Sequence, residues 1–192
     1  HPADMQARVV QECADFGIAF DGDGDRVVFA DASGELVDGD ELLYIIAAEQ
    51  LRRGERCEGV VGTLMSNLGF ELALKALGVS FERAQVGDRY VKERMNALGW
   101  ALGGENSGHI ICGDVSTTGD GIVAALKVVQ AVRASGKSLL ELRAPVKKFP
   151  QIMQNIRIQK PMDLNHSELR AAVGQVELEL AGRGRVLLRA SG

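Results

Sequence analysis

Apolar positions along this chain fall into short runs separated by glycine-rich or acidic turns. From Asp4 to Asp15, Met5, Val9, Val10 and Cys13 recur at roughly helical spacing and predict a helix. Phe16 to Phe20 is a continuous apolar run, which predicts a buried strand ending at the stretch DGDGDR. Strand character resumes from Val27 to Ala30, and DASGE has the composition of a turn. A helix is predicted from about Asp40 to Arg53, with Asp40 as its N-cap and Gly54 as its stop. Three strand-then-helix units follow. GVVGT leads to a helix starting near Ser66 or Asn67 and closing at Gly78. VSFERA leads to a helix capped by Asp88 and ending near Gly99. HIICG leads through DVSTTGDG to a helix from about Asp120 to Ala134. Such alternation predicts an α/β fold, a sheet with parallel pairs and helices against it.

RAPVKKFP, from Arg143 to Pro150, has two prolines and a small basic cluster and reads as a linker. In QIMQNIRIQ, Ile152, Ile156 and Ile158 would share one face of an extended segment. A helix around His166 to Val173 and a strand at RVLLR are predicted beyond it. A βαβ piece of this size is too small to bury a good core alone.

Composition narrows the function classes. Hydrophobic residues are 46% and charged residues 25%, ordinary values for a globular protein. A net charge of −4 argues against nucleic-acid binding, which needs a basic field. The longest apolar run, LLYIIAA, is far short of the ~20 residues that span a bilayer, so no membrane role is expected. Cys13, Cys57 and Cys112 are few, odd in number and widely spaced. They read as reduced thiols of a cytoplasmic protein.

DGDGDR carries the strongest chemical signal. Asp21, Asp23 and Asp25 alternate with glycine directly after an apolar run, and their carboxylates repel one another. Oxygen-only ligands on a tight loop suit a hard divalent cation. An EF-hand would need glycine at its sixth position and glutamate at its twelfth; Arg26 and Ala32 stand there instead. Mg²⁺ fits, because it accepts few protein ligands and takes the rest from water or phosphate. Arg26 beside the site points to a shared anion, and phosphate is the natural one. The bland alternative is a solvated acidic turn. VDGDELL, with Asp38 and Asp40, reads as a turn and a helix cap.

Three further clusters are weak when taken singly. GGENSGH places Glu105, Asn106, Ser107 and His109 between glycines. Glu and Ser suit vicinal hydroxyls and His suits proton transfer, although a surface turn is the better reading of the loop alone. In STTGDGI, Thr117, Thr118 and Asp120 suit helix capping. In VGDRYVKERM, Arg89 and Lys92 lie three apart, facing either a cleft or solvent. RASG at the end offers Arg189 and the Ser191 hydroxyl for a phosphate nest, but is too short to count by itself.

In this order and spacing, DGDGDR, GGENSGH and RASG resemble the metal loop, sugar-recognition loop and C-terminal phosphate loop of the α-D-phosphohexomutase superfamily. VGTLMSNLGFELALKALG, VGDRYV and STTGDGIVAAL are similar to its bacterial phosphoglucosamine mutase branch. The resemblance implies a mixed sheet flanked by helices with partial flanking domains, the last α+β. Residues 1–38 would be the end of domain two, 39–144 domain three, and 145–192 the start of domain four. It implies an isomerase that interconverts glucosamine 6-phosphate and glucosamine 1-phosphate through a phosphoserine and a bisphosphorylated sugar, toward UDP-N-acetylglucosamine and cell-wall synthesis. Mg²⁺ would sit on Asp21, Asp23 and Asp25, and Arg26 beside the transferring phosphoryl group. Glu105, Asn106 and Ser107 would bind the sugar, and His109 would lie near the reacting end. Arg189 and Ser191 would hold the phosphate that is not transferred; Arg89, if it faces the cleft, is a further candidate for binding the sugar phosphate. The phosphoserine loop has no counterpart in the chain, so a fragment without turnover of its own is expected. The alternatives are a phosphomannomutase or phosphoglucomutase of the same superfamily, or a non-catalytic Mg²⁺-binding piece. The expected partner is a hexosamine phosphate; oligomeric state is left open.

Overall fold

The computed structural model describes residues 2–158, 163–181 and 183–188. The chain divides into two compact units, His1–Phe149 and Pro150–Gly192. The first opens with helix α1 (Ala3–Gln11) and a three-stranded antiparallel sheet in the order β1 (Phe16–Phe20), β2 (Val27–Asp31), β3 (Leu36–Val37). Phe16 pairs with Asp31 and Phe20 with Val27, so the acidic loop 21–26 is the turn of a hairpin. β1 is only partly buried, and Phe20 is exposed, where the apolar run had suggested full burial. β2, whose Phe29 and Ala30 are fully buried, carries the core contact instead.

Helix α2 (Gly39–Arg52) leads into the larger sheet, formed by β4 (Gly59–Thr63), β5 (Ser80–Ala84), β6 (Leu102–Gly104) and β7 (Ile110–Cys112) in the order β5-β4-β6-β7. β4 runs parallel to β5 and β6, whereas β7 is antiparallel to β6. The sheet is therefore mixed, as expected, but β6 was not anticipated. It is three residues long and two are glycine, too little for a periodic signal. Helices α3 (Leu68–Ala76), α4 (Asp88–Leu98) and α5 (Gly121–Ser135) complete this part, with the short α6 (Leu139–Arg143) after them.

The pleat sorts side chains to two cores. Val60, Leu102, Ile110 and Cys112 join the main core with α2, α3 and α5 residues such as Ile45, Phe70, Leu74 and Val128. Val61 and Ile111 point the other way, onto Val91 and Met95 of α4 with Leu98 and Trp100. Helices thus cover both faces. Each fully buried Leu, Ile, Phe or Met contributes roughly 1.5–3 kcal/mol.

Two predicted caps move by a residue or more. Asp38 caps α2, accepting from the Asp40 and Glu41 amides, while Glu41 accepts from the Asp38 amide. This reciprocal box needs Glu three residues after the cap, which Asp38 has and Asp40 lacks. Gly87 rather than Asp88 is the cap position of α4, at φ 127°, and Asp88 is the first helical residue. Asp120 caps α5 as expected, and Asn67, where a helix start was expected, caps α3. Thr117 and Thr118 make no cap: the Asp120 carboxylate takes both free amides of α5.

The stretch read as a linker is anchored. Arg143, at the end of α6, donates to Asp31 (2.8 Å) and Glu41 (2.9 Å) and also pairs with Glu35. Asp31 and Glu41 are essentially inaccessible. Lys148 pairs with Asp38 (3.0 Å) and Glu41 (2.6 Å). The Asn67 side chain bonds both the amide and the carbonyl of Phe149. One guanidinium therefore holds the end of β2, the turn after it and the start of α2. Removing one partner of such a buried pair costs roughly 3–5 kcal/mol.

In the second unit, helix α7 (Ser167–Leu180) matches the helix expected around His166 to Val173 and runs longer. Residues 151–158 and 185–188 form no strand, contrary to the alternation around Ile152 and to RVLLR. Ile152 and Ile156 are 94% and 75% exposed, so nothing there supplies the pairing and burial that a strand needs. Among the described residues, no helix is long and apolar enough to cross a membrane, and Cys13, Cys57 and Cys112 are free thiols.

Asp40 is 1% exposed; Oδ2 accepts from the Asn67 amide (2.7 Å), and Oδ1 has no partner among the described residues. Burial, with the Asp38 charge added, outweighs the Asn67 and Ser66 hydrogen bonds and the Arg83 charge. Together they push its pKa from 3.8 up to about 7. The folded chain then holds a proton that the unfolded chain has released, so this group's contribution to stability is lost as pH rises from about 4 through about 7. Asp40→Asn keeps an acceptor for Asn67 without the charge. Its stability advantage over the wild type is expected to grow across that window to roughly 4 kcal/mol and then level off. Urea unfolding at several pH values measures it; a pH-independent difference would refute the assignment.

Candidate active site

The hairpin turn from Asp21 to Arg26 brings three carboxylates together. One oxygen of each of Asp21, Asp23 and Asp25 lies within 4.8 Å of the others. Asp21 and Asp23 are exposed and Asp25 half-buried, an open cluster at the surface of the first unit. The Arg26 amide donates to Asp21 Oδ1 (3.2 Å), and the Arg26 guanidinium stands 3.8 Å from Asp21. Desolvation opposes ionisation of Asp21. The Arg26 amide, the Asp25 side chain and the Arg26 charge outweigh it and hold Asp21 below the ordinary carboxylate value.

Neighbouring segments hold the loop in place. Val27 N donates to Gly108 O (3.1 Å), Gly121 N donates to Gly24 O (3.0 Å), and Arg26 bridges to His109. His109 Nδ1 donates to Asp25 Oδ2 (2.9 Å). The acidic loop 21–26, the start of α5 and the loop 105–109 are thus one hydrogen-bonded assembly. Gly108 sits at φ 94°, and a Cβ there would run into the Val27 carbonyl, so only glycine lets the two strands of this contact meet.

The donor set fits a hard divalent cation. Three carboxylates converge, and Oδ1 of Asp25 is buried with no hydrogen-bond partner among the described residues. A buried carboxylate oxygen left bare is costly unless a cation or donor reaches it.

The loop 105–109 is built from its backbone. Glu105 N donates to His109 O, Gly108 N donates to Glu105 O, and Gly39 N donates to Asn106 O. The Glu105 carboxylate accepts from the Gly87 amide (2.9 Å), which ties it to the turn before α4. Sequence reasoning missed this role of Gly87; its only trace is the glycine of VGDRYV. Glu105 and Asn106 are half-buried, Ser107 is exposed, and His109 is buried. These loops follow β5 and β6 at their C-terminal ends, where open α/β sheets bind ligands. Arg89 is exposed and paired with Glu93 (2.8 Å). Arg189 and Ser191 lie outside the described residues.

Residues 38–149 match the family Phosphoglucomutase/phosphomannomutase, alpha/beta/alpha domain III. The chain belongs to this family. It is 58% identical over 192 residues to phosphoglucosamine mutase of Cellvibrio japonicus, covering 100% of this chain and 43% of the relative. It is 56% identical over 189 residues to the enzyme of that name from Teredinibacter turnerae, covering 98% of this chain and 42% of the relative. Among solved structures, a phosphoglucomutase/phosphomannomutase family protein from Burkholderia thailandensis superposes with TM-score 0.65. That match is 25% identical and covers 77% of this chain and 33% of the other. N-acetylphosphoglucosamine mutase of Aspergillus fumigatus, in complex with GlcNAc-6P and magnesium, has the same fold. Its TM-score is 0.74 at 20% identity, covering 91% of this chain and 46% of the other. The chain thus spans about 43% of the length of the curated relatives it matches.

Gly108→Ala is expected to weaken the contact between loop 105–109 and the Val27 segment. The readout is protection of the Val27 amide from hydrogen exchange, which should fall at least tenfold relative to the β4 amides. Unchanged protection at Val27 would contradict the role given to this glycine.

Proposed function

We propose that the intact protein containing this chain interconverts glucosamine 6-phosphate and glucosamine 1-phosphate. The observation that carries the reading is the convergence of Asp21, Asp23 and Asp25 beside Arg26, with a bare buried oxygen on Asp25. The phosphoglucosamine mutases that the chain resembles at 53–58% identity support it.

Mg²⁺ would be held by Asp21, Asp23 and Asp25; when bound, it would neutralise charge on a transferring phosphoryl group. Arg26, half-exposed on the same turn, is placed to pair with phosphoryl oxygens without first leaving a buried partner. Phosphoryl transfer asks the protein mainly for such positioning and charge neutralisation. Glu105 and Ser107 would accept from and donate to sugar hydroxyls, with Asn106 beside them. Gly87 keeps Glu105 pointing to one place, which favours one sugar orientation over others. Arg89 would have to leave Glu93 to reach a phosphate. Arg189 and Ser191 are proposed to hold the phosphate that is not transferred. The nucleophilic serine is expected outside these 192 residues, in a cytoplasmic enzyme of amino-sugar metabolism.

The test uses the full-length parent with Mg²⁺ and compares glucosamine, glucose and mannose phosphates. Turnover is expected to favour the glucosamine phosphates. Asp25→Asn should lower kcat by about 10²-fold or more, the scale of losing one electrostatic element at a transferring group. The 192-residue chain alone should show none. Preference for mannose or glucose phosphate would overturn the sugar assignment, and full activity of Asp25→Asn would overturn the site.

A further inference from the structure

His109 offers neither of its ring nitrogens to a molecule approaching from solvent. It is 5% exposed. Nδ1 donates to Asp25 Oδ2 at 2.9 Å. Nε2 is buried with no hydrogen-bond partner among the described residues, and the ring lies over Gly119 so closely that a Cβ there would overlap its atoms. On the other side of the same carboxylate, Asp25 Oδ1 is buried and bare. The imidazole therefore takes one oxygen of Asp25, fixes the plane of the carboxylate and leaves the second oxygen free. The backbone of His109 is bridged to Arg26, and its carbonyl accepts from Glu105.

We propose that His109 is a positioning residue for the divalent cation: it orients Asp25 toward the ion and links the sugar loop to the metal loop. The inference rests on the reading of Asp21, Asp23 and Asp25 as a cation site, and deepens it. Partners that orient metal ligands are worth 10–100-fold in metal affinity when removed. Because the link is one piece of structure, anything that fixes loop 105–109 also fixes Asp25, and the coupling is reciprocal.

Mn²⁺ serves as the probe, with the free ion measured by electron paramagnetic resonance during titration of the 192-residue chain. His109→Ala and His109→Gln are expected to weaken Mn²⁺ binding about tenfold. His109→Asn, whose amide nitrogen takes the place of Nδ1, should stay within about threefold of the wild type. Gly119→Ala, which displaces the ring without touching Asp25, should behave like His109→Ala. Circular dichroism checks each fold; if the alanine variant fails to fold, the contrast of Asn with Gln decides. Equal affinity of His109→Ala and wild type would overturn the proposal, as would an Asn variant as weak as the Gln variant. Asp25→Asn separates the two claims. If the wild type binds Mn²⁺ and Asp25→Asn does not, the cation site stands whatever His109 does. If neither binds, the cation site fails and this inference with it.

Discussion

Two backbone hydrogen bonds, from Val27 to Gly108 and from Gly121 to Gly24, fix where three mutually repelling aspartates stand. A six-residue hairpin turn with two glycines has little stiffness of its own. Left free, Asp21, Asp23 and Asp25 would reduce their repulsion by splaying apart. Here the turn is caught between the start of α5 and the loop after β6, both seated on the larger sheet. The cost of keeping the carboxylates together is met by the packing of a whole αβα sandwich, and the loop itself can stay open to a ligand.

The far end of the same hairpin is secured differently. Arg143 binds the Asp31 carboxylate at the end of β2 and Glu41 at the start of α2. Desolvation works against both sides. The hydrogen bonds outweigh it, holding Asp31 below and Arg143 above their ordinary values. β2 is thus pinned at both ends, by backbone at the acidic loop and by charge at Asp31. Asp40, one helical residue before Glu41, accepts from no guanidinium among the described residues; burial outweighs the Arg83 charge and pushes its carboxylate toward the neutral form. A buried guanidinium fixes geometry, whereas a buried carboxylate without one costs stability.

Much of this was legible before any coordinates. The helices around Ile45, Phe70, Val91 and Val128 announce themselves by their candidate starts and closing residues after short strands, and DGDGDR by the chemistry of alternating carboxylates. Other features were not legible for identifiable reasons. β6 is too short and glycine-rich to show a period. Arg143 looked like part of a basic linker, because nothing local reveals that its partners lie more than a hundred residues away. Asp38 and Asp40 exchanged roles because the cap depends on Glu41 being three residues on, a reciprocal bond invisible to a rule that stops at the first candidate. Ile152, Ile156 and Ile158 have the alternation of a strand, but alternation predicts a strand only where a neighbouring strand and a core are at hand. Within the site, residue types pointed to Glu105 and His109, and only the fold shows that one is held by Gly87 and the other by Asp25 and Gly119.

The central claim is that the fold holds Asp21, Asp23 and Asp25 together against their repulsion, for a cation to relieve. Thermal unfolding of the chain in EDTA and in Mg²⁺ tests it most directly, with the Asp21→Asn, Asp23→Asn, Asp25→Asn triple variant alongside. Mg²⁺ at about a hundred times its dissociation constant should stabilise the wild type by roughly 2.7 kcal/mol and the variant not at all. A wild type whose unfolding temperature ignores Mg²⁺ would contradict the account.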